Sequence, residues 1–202
     1  MPASPCVARW ERERGRDRDQ PAMRFIATEL ADAQLIEPEE VRDERGFFAR
    51  VWCSRELEAQ GLSNTIAQVN VSHNARKGTV RGLHYQVAPH DEIRVLRCTH
   101  GAIYDVIVDL RPGSPTHAKW LGVTLSAANR RMLYVPEGFA HGFQTLQDDT
   151  EVLYLMSSFY EPGAGRGVRW NDPAFAIEWP LPVSVISERD ATFGDFETER
   201  SA

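Results

Sequence analysis

The stretch 78–86, which reads GTVRGLHYQ, combines residue types that can bind an anion and move a proton. Arg81 carries a fixed positive charge and a fork of N–H donors suited to phosphate or carboxylate groups. His84 has the side chain that accepts and returns a proton near neutral pH. Gly82, between them, allows a backbone or ligand to approach closely, or marks a bulge. Taken alone, the segment fits a hydrogen-bonded core histidine better than a catalytic one, so the other motifs decide.

Three further polar side chains interrupt apolar segments: His141 in GFAHGF, Tyr154 in EVLYLM and Arg94 in EIRVLR. A buried polar group costs free energy unless it is hydrogen-bonded or used in function. Each therefore fits either a partnered structural group or a site residue, and Tyr154 taken alone fits the structural reading better.

Several other chemistries lack their motifs. The His-x-His pair that would open a metal site is absent, because the residue two positions after His84 is Gln86. There is no G-x-S-x-G nucleophile elbow, no cysteine in an activating context and no phosphate-binding glycine loop. We therefore expect neither a metal nor another cofactor.

Short strands must position these residues. Segments of alternating or continuous apolar residues recur at 8–12 residue spacing, separated by turns such as Arg111–Pro115 and Pro136–Gly138. In Ala102–Leu110, alternate residues belong to opposite faces of a strand. The spacing predicts an all-β sandwich or barrel. Ser54 is expected to cap one short helix that continues to about Gln60.

Length, charge and cysteine content narrow the class of protein. The 202 residues fit one domain with a tail, with residues 1–22 as a charged, disordered tail and 23–202 as the domain. The net charge of −6 gives no reason to expect nucleic-acid binding, and no apolar run is long enough to span a bilayer. Three widely spaced cysteines predict a reducing cytoplasm.

With these residues identified, the chain resembles the dTDP-4-dehydrorhamnose 3,5-epimerase family. The matching motifs, in family order, are ERGFF (44–48), Gln68-x-Asn70, GTVRGLHYQ, DVIVDLRPGSPT (105–116), VPEGFAHGF (135–143), Tyr154 with Tyr160, RGVRWNDP (166–173) and SERD (187–190). The resemblance implies a cupin-type jelly-roll barrel with few short peripheral helices. It also implies a homodimer, a nucleotide-sugar substrate and metal-free epimerisation beside a ketone.

The resemblance assigns roles in proton transfer. His84 matches the family's base, and a carboxylate on its other ring nitrogen would fix its tautomer. Asp190 is the first choice for that carboxylate and Asp172 the second. Tyr154 matches the acid on the opposite face of the carbon, and Arg94 occupies the position of the lysine that stabilises the enolate. The residues expected to bind substrate are Arg45, Gln68, Asn70, Arg81, His141 and Arg189.

The chain also departs from the family pattern. Arg50 replaces an acidic residue, Arg94 a lysine and Gly165 a glutamate. These changes leave open a related epimerase of C3 or C5 alone with a different substrate, or a non-catalytic sugar-nucleotide-binding relative. A metal-dependent cupin is a separate alternative, since six histidines occur in a β-rich chain. Arg81 and His84 would face opposite ways in a flat strand, so placing both at one site predicts a bulge or twist near Gly82.

Overall fold

The computed structural model describes residues 21–196, and nearly all of its regular structure is β-strand. The strands are β1 (Met23–Ala27), β2 (Gln34–Pro38), β3 (Glu40–Asp43), β4 (Gly46–Ala49), β5 (Gln68–Asn74), β6 (Val80–Gln86), β7 (Arg94–His100), β8 (Ala102–Asp109), β9 (Trp120–Ser126), β10 (Met132–Val135), β11 (Phe139–Thr145), β12 (Thr150–Met156) and β13 (Gly165–Gly167). Two short helices occur in the described range, α1 (Ser54–Ala59) and α2 (Glu188–Ala191).

The strands form two antiparallel sheets and a separate hairpin of β3 and β4. The six-stranded sheet has the order β1-β2-β10-β7-β12-β5, and the five-stranded sheet has the order β13-β6-β11-β8-β9. From β5 to β12 the chain crosses between the sheets at almost every step, as in a jelly roll. The predicted all-β class is therefore confirmed.

The core lies between the sheets, and strand alternation determines which residues enter it. Buried residues from both sheets pack together there: Leu96, Leu133 and Val152 from one, Ile103, Ile107 and Phe143 from the other. The opposite face of β8, with Val106 and Val108, is covered by the irregular C-terminal segment through Val168, Phe175 and Ile177. This covering explains why β8 is buried on both faces although its residues alternate.

The helices correct two expectations. In α1, Cys53 occupies the N-cap position and makes no side-chain cap hydrogen bond, so the predicted cap at Ser54 is wrong by one residue. In α2, which the pattern did not predict, the Ser187 hydroxyl accepts a hydrogen bond from the Asp190 backbone N–H at 3.1 Å. Capping by serine at this position is a common way to begin a helix.

The irregularity predicted near Gly82 is confirmed. The pairing of β6 with β11 shifts register between His141 and Phe143, opposite Gly82. Gly82 has φ of 123°, and a Cβ added there would lie 2.5 Å from the Cα of Gly142. Only glycine fits that close approach of two backbones. As a result Arg81 and His84 line the same cavity.

Apart from its last two residues, the tail predicted over 1–22 lies outside the described residues. Within residues 21–196 no helix has the length and apolar character needed to cross a membrane.

Candidate active site

Two adjoining cavities of about 260 and 290 Å³ open between the sheets and form one cleft. Both are lined by Asn70, His84, Arg94 and Met156. The first is also lined by Gln68, Glu92, Tyr160, Gly165 and Arg189, and the second by Ser72, Arg81, His141 and Tyr154, among others. The cleft thus brings together eight of the ten residues that the sequence predicted for the site.

The ninth predicted residue, Asp190, lies directly behind His84. Its Oδ1 accepts a hydrogen bond from His84 Nε2 at 2.7 Å, and its Oδ2 accepts one from the Gly82 backbone N–H at 3.1 Å. Burial raises the pKa of Asp190, but hydrogen bonds and charge from His84, with the Gly82 N–H, outweigh burial and leave that pKa below its usual value. An ionised Asp190 holds the proton on Nε2 and leaves the lone pair of His84 on Nδ1.

Asp172, the second choice for this carboxylate, has a different function. It is fully buried and accepts hydrogen bonds from the backbone N–H groups of Ala174 and Phe196. It therefore stabilises the C-terminal segment, and its expected alternative role on His84 is wrong.

The ring of His84 is also fixed by packing. Its side chain is 37% exposed, and Phe193 meets the ring edge-on with centroids 5.8 Å apart. Asp190 lies in α2 and Phe193 follows its end by two residues, so one short segment supplies both the carboxylate and the aromatic contact.

Tyr154 faces the same cleft from β12. Its hydroxyl is 3.0 Å from the Ser72 hydroxyl on the neighbouring β5. Burial raises the pKa of Tyr154 to about 12. The phenol is therefore neutral at physiological pH and can donate a proton.

A second His–Asp pair lies deeper in the barrel. His141 pairs in register with His84 across β11 and β6, and its Nε2 is 2.8 Å from Asp105 Oδ1. Asp105 is fully buried, and its Oδ2 has no hydrogen-bond partner among the described residues. Burial raises the pKa of Asp105, although His141 and Arg94 act in the opposite direction.

Arg94 lies at the start of β7 and is held by neighbouring groups. Its Nε donates to Glu92 Oε1 at 3.1 Å, its Nη2 donates to the same oxygen, and its Nη1 donates to the carbonyl of His84 at 3.0 Å. Gln86 Nε2 donates to Glu92 Oε2 at 3.2 Å. Because β6 and β7 are linked through these contacts, the guanidinium has a fixed position beside His84.

The expected binding residues differ in their surroundings. Arg81 Nε donates to Asn74 Oδ1 at 2.6 Å, which orients its guanidinium. Gln68 Oε1 accepts from the Tyr160 backbone N–H at 2.8 Å. Two more of the predicted binding residues line the cleft, Asn70 and Arg189, and both are exposed to solvent.

Arg45 is the one predicted site residue that the cleft does not include. Over residues 21–196 it lines neither cavity, and it pairs with Asp43 in the exposed turn between β3 and β4. Its predicted role in substrate binding stays a prediction.

Two departures from the family pattern have structural explanations. Arg50 pairs with Glu56 of α1 at 2.7 Å, so its charge belongs to a local ion pair away from the cleft lining. Gly165 lies in β13, where an added Cβ would come within 3.6 Å of Arg189 and Tyr160. The glycine therefore widens the cleft beside Arg189.

Sequence reasoning missed four residues that hold the site together: Glu92, Asp105, Ser72 and Asn74. Parity on β8 indicated that Asp105 shares a face with Ile103 and Ile107, which was a signal for an inward carboxylate. The partners of the other three depend on contacts between strands distant in sequence. Among residues 21–196, no three His, Cys, Asp or Glu side chains are placed so that they could hold a metal ion.

Comparisons with known proteins identify the family of this chain. The family model described as dTDP-4-dehydrorhamnose 3,5-epimerase matches residues 27–198. A Shigella flexneri protein of that name is 41% identical over 169 residues, 83% of this chain and 93% of the relative.

Solved structures agree in fold. A Bacillus anthracis dTDP-4-dehydrorhamnose 3,5-epimerase with TDP and PPi bound matches with a TM-score of 0.84 and 44% identity, covering 87% of this chain and all of that one. A Legionella pneumophila epimerase in complex with dTDP-4-keto-L-rhamnose matches with a TM-score of 0.78 and 38% identity, covering 84% and 90%. These matches confirm the cupin-type jelly roll. The chain therefore belongs to the dTDP-4-dehydrorhamnose 3,5-epimerase family and is an epimerase.

Proposed function

We propose that this enzyme inverts C3 and C5 of a dTDP-linked 4-keto-6-deoxy-hexose, of the dTDP-4-dehydro-6-deoxyglucose type, in rhamnose biosynthesis. The observation that carries the proposal is that a carboxylate-supported histidine and a neutral tyrosine line the same cavity. A base and an acid on different walls of a cleft are the groups that inversion of a C–H centre needs.

The first step is removal of a proton from the carbon next to the C4 ketone. Asp190 keeps Nε2 of His84 protonated, so Nδ1 is the nitrogen that accepts the substrate proton. The resulting imidazolium is stabilised by the ionised carboxylate 2.7 Å away. The electron pair moves onto the C4 oxygen and forms an enolate.

Arg94 stabilises that enolate. Its guanidinium is a fixed cation with N–H donors, and donors fixed before the reaction stabilise developing charge without reorganisation. The ketone already acidifies the neighbouring C–H bonds, so the reaction requires neither a metal nor another cofactor.

Tyr154 completes the inversion by delivering a proton to the opposite face of the carbon. Its raised pKa keeps the hydroxyl protonated until the carbanion forms. The Ser72 hydroxyl, 3.0 Å away, is placed to stabilise the phenolate that remains.

The nucleotide part binds along the outer lining of the cleft. Arg81 and Arg189 suit the diphosphate because guanidinium groups match phosphate geometry. Gln68 and Asn70 supply further polar contacts there, and His141 supplies one from the deeper part of the cleft. The relatives with TDP and a dTDP-sugar bound support a nucleotide sugar as the substrate.

We also propose that the enzyme is a homodimer. Strand β5 ends the six-stranded sheet and exposes Val69 and Val71, each 57% accessible. The hairpin of β3 and β4 exposes Phe48 at 68%. Apolar residues on an edge strand and a hairpin are surfaces that a second copy would cover. The dimer would bring Arg45 of one subunit to the cleft of the other.

Sedimentation velocity tests the dimer. Phe48→Ser should give monomers and raise the KM for the nucleotide sugar. Arg45→Ala should also raise that KM, but it should leave the mass of the dimer unchanged. A wild-type monomer at micromolar concentration would contradict the proposal.

We place the enzyme in the cytoplasm, where the free thiols of Cys53 and Cys98 would persist.

The catalytic proposal is tested by NMR of the purified enzyme with dTDP-4-keto-6-deoxyglucose in deuterated water. Deuterium should enter at C3 and at C5 with inversion at both carbons. dTDP-glucose is the matched control, because it has no ketone and should not exchange. Deuterium at one carbon alone, or none, would contradict the proposed function.

A further inference from the structure

The cation beside the base is held by a buried carboxylate that the reaction itself does not use. Arg94 and Glu92 are 8% and 9% exposed, and they pair two residues apart, just before and at the start of β7. We propose that Glu92 is a positioning residue that fixes Arg94 for binding the enolate oxygen. This inference rests on the proposed function.

The hydrogen bonds show how the guanidinium is fixed. Glu92 Oε1 accepts from Nε and Nη2 of Arg94, and the His84 carbonyl accepts from Nη1. Three of the five N–H groups of an arginine are used in these contacts. Within the described part of the chain, two donors therefore remain for an oxygen in the cleft that Arg94 lines.

Glu92 is itself held in place. Its Oε2 accepts from Gln86 Nε2, whose amide oxygen accepts from the Glu161 backbone N–H at 2.7 Å. The two N–H groups of that amide are shared among Glu92 and the carbonyls of His90 and Phe159. The Glu92 carboxylate is therefore held from both of its oxygens, by Arg94 on one and by Gln86 on the other.

The charge balance explains why an arginine here needs this partner. A buried guanidinium without a counter-charge is strongly unfavourable, and a long side chain released from Glu92 would turn toward another carboxylate or toward solvent. A lysine carries a compact charge on a flexible stem and needs no fork-shaped anchor. Glu92 and Arg94 thus act as one unit at the position where the family resemblance implies a lysine.

The unit makes a specific kinetic prediction. C3 and C5 both flank C4, so proton removal at either carbon places charge on the same oxygen. Glu92→Gln keeps the shape and removes the charge. It should lower kcat about 10- to 100-fold, change KM less than about threefold, and slow deuterium exchange at C3 and C5 in parallel.

A paired substitution separates positioning from folding. In Arg94→Lys alone, Glu92 would draw the ammonium away from the cleft, so activity should fall. In the double variant Glu92→Gln/Arg94→Lys that attraction is absent, and kcat should exceed that of Arg94→Lys by about tenfold. Glu161→Gln is the matched control, because Glu161 shares the neighbourhood but lines neither cavity. It should behave as wild type.

Each outcome decides the proposal. With an active wild type, an unchanged kcat in Glu92→Gln, or a change in KM alone, overturns the positioning role but leaves the epimerase assignment intact. If Glu92→Gln alone does not fold, the double variant Glu92→Gln/Arg94→Lys decides. A kcat for it no higher than that of Arg94→Lys overturns the positioning role. A wild type that is inert toward the keto sugar overturns both the proposed function and this inference.

Discussion

Two histidines face each other on the adjacent strands β6 and β11, each is paired with an aspartate, and the environments of the two pairs differ. His84 and Asp190 lie at the cleft, where the histidine is 37% exposed. His141 and Asp105 lie inside the barrel, at 5% and 0% exposure. The N–O distances are nearly equal, 2.7 and 2.8 Å.

The difference lies in what surrounds each carboxylate. Asp190 accepts from the Gly82 N–H as well as from His84, so its pKa lies below the usual value. Burial raises the pKa of Asp105, and its Oδ2 has no hydrogen-bond partner in the range 21–196. Equal geometry therefore gives one pair suited to stabilising a transient imidazolium and another suited to holding a ring in place.

Replacing the two histidines should separate these roles most strongly. We expect His84→Asn to lower kcat about 10³-fold, since general-base catalysis is lost, and His141→Asn to lower it only about tenfold. Steady-state kinetics with the keto sugar measure both. Thermal unfolding serves as the control for folding. Comparable losses in the two variants would refute the distinction.

Tyr154 packs against the inner pair, with its ring 6.4 Å from that of His141, and should be the acid of the outer one. Tyr154→Phe keeps the ring but removes the proton donor, so inversion should slow about 10²-fold. The His84 face can still remove and return a proton. NMR in deuterated water should then show substrate that has exchanged without inverting. Loss of exchange together with inversion would argue against Tyr154 as the acid.

The carboxylates provide the next comparison, because asparagine is nearly the same shape as aspartate. Asp190→Asn should lower kcat about 10²-fold, since the amide neither fixes the tautomer of His84 nor stabilises its charged form. Asp105→Asn should change kcat less than about fivefold. Steady-state kinetics at one pH give the ratio of the two losses of kcat. A ratio near one would contradict the different roles of the two carboxylates.

Much of this arrangement followed from short-range patterns. Alternation in β8 indicated both faces of the strand. The family resemblance carried by the motifs around His84 and Asp190 predicted that these two side chains meet, and they do. The spacing Ser187-x-x-Asp190 is also that of an N-cap serine with an acidic residue in the first turn, and it was a readable signal for α2.

The remainder depends on long-range contacts that no local pattern encodes. Asp105 and His141 are 36 residues apart, and their pairing follows from the register of β8 with β11. Glu92 precedes a strand in an ordinary polar turn, and only the approach of Gln86 makes it an anchor. In the proposed dimer Arg45 would reach a cleft only across the subunit interface, so no contact within residues 21–196 places it there.

The smallest expected effect is on stability, where the two carboxylates should act with opposite sign. The folded pKa of Asp190 is lowered, so its contribution to the free energy of unfolding is present above the unfolded value of about 3.8 and is lost as pH falls below it. The folded pKa of Asp105 is raised, so its protonated form is favoured and stability falls as pH rises above about 3.8.

Denaturant unfolding from pH 7 to 3 checks this. As pH falls, Asp190→Asn should lose less of its free energy of unfolding than wild type does. For Asp105→Asn, the free energy of unfolding relative to wild type should be most favourable at pH 7. Parallel curves for the two variants would show that the pairs do not differ in charge state.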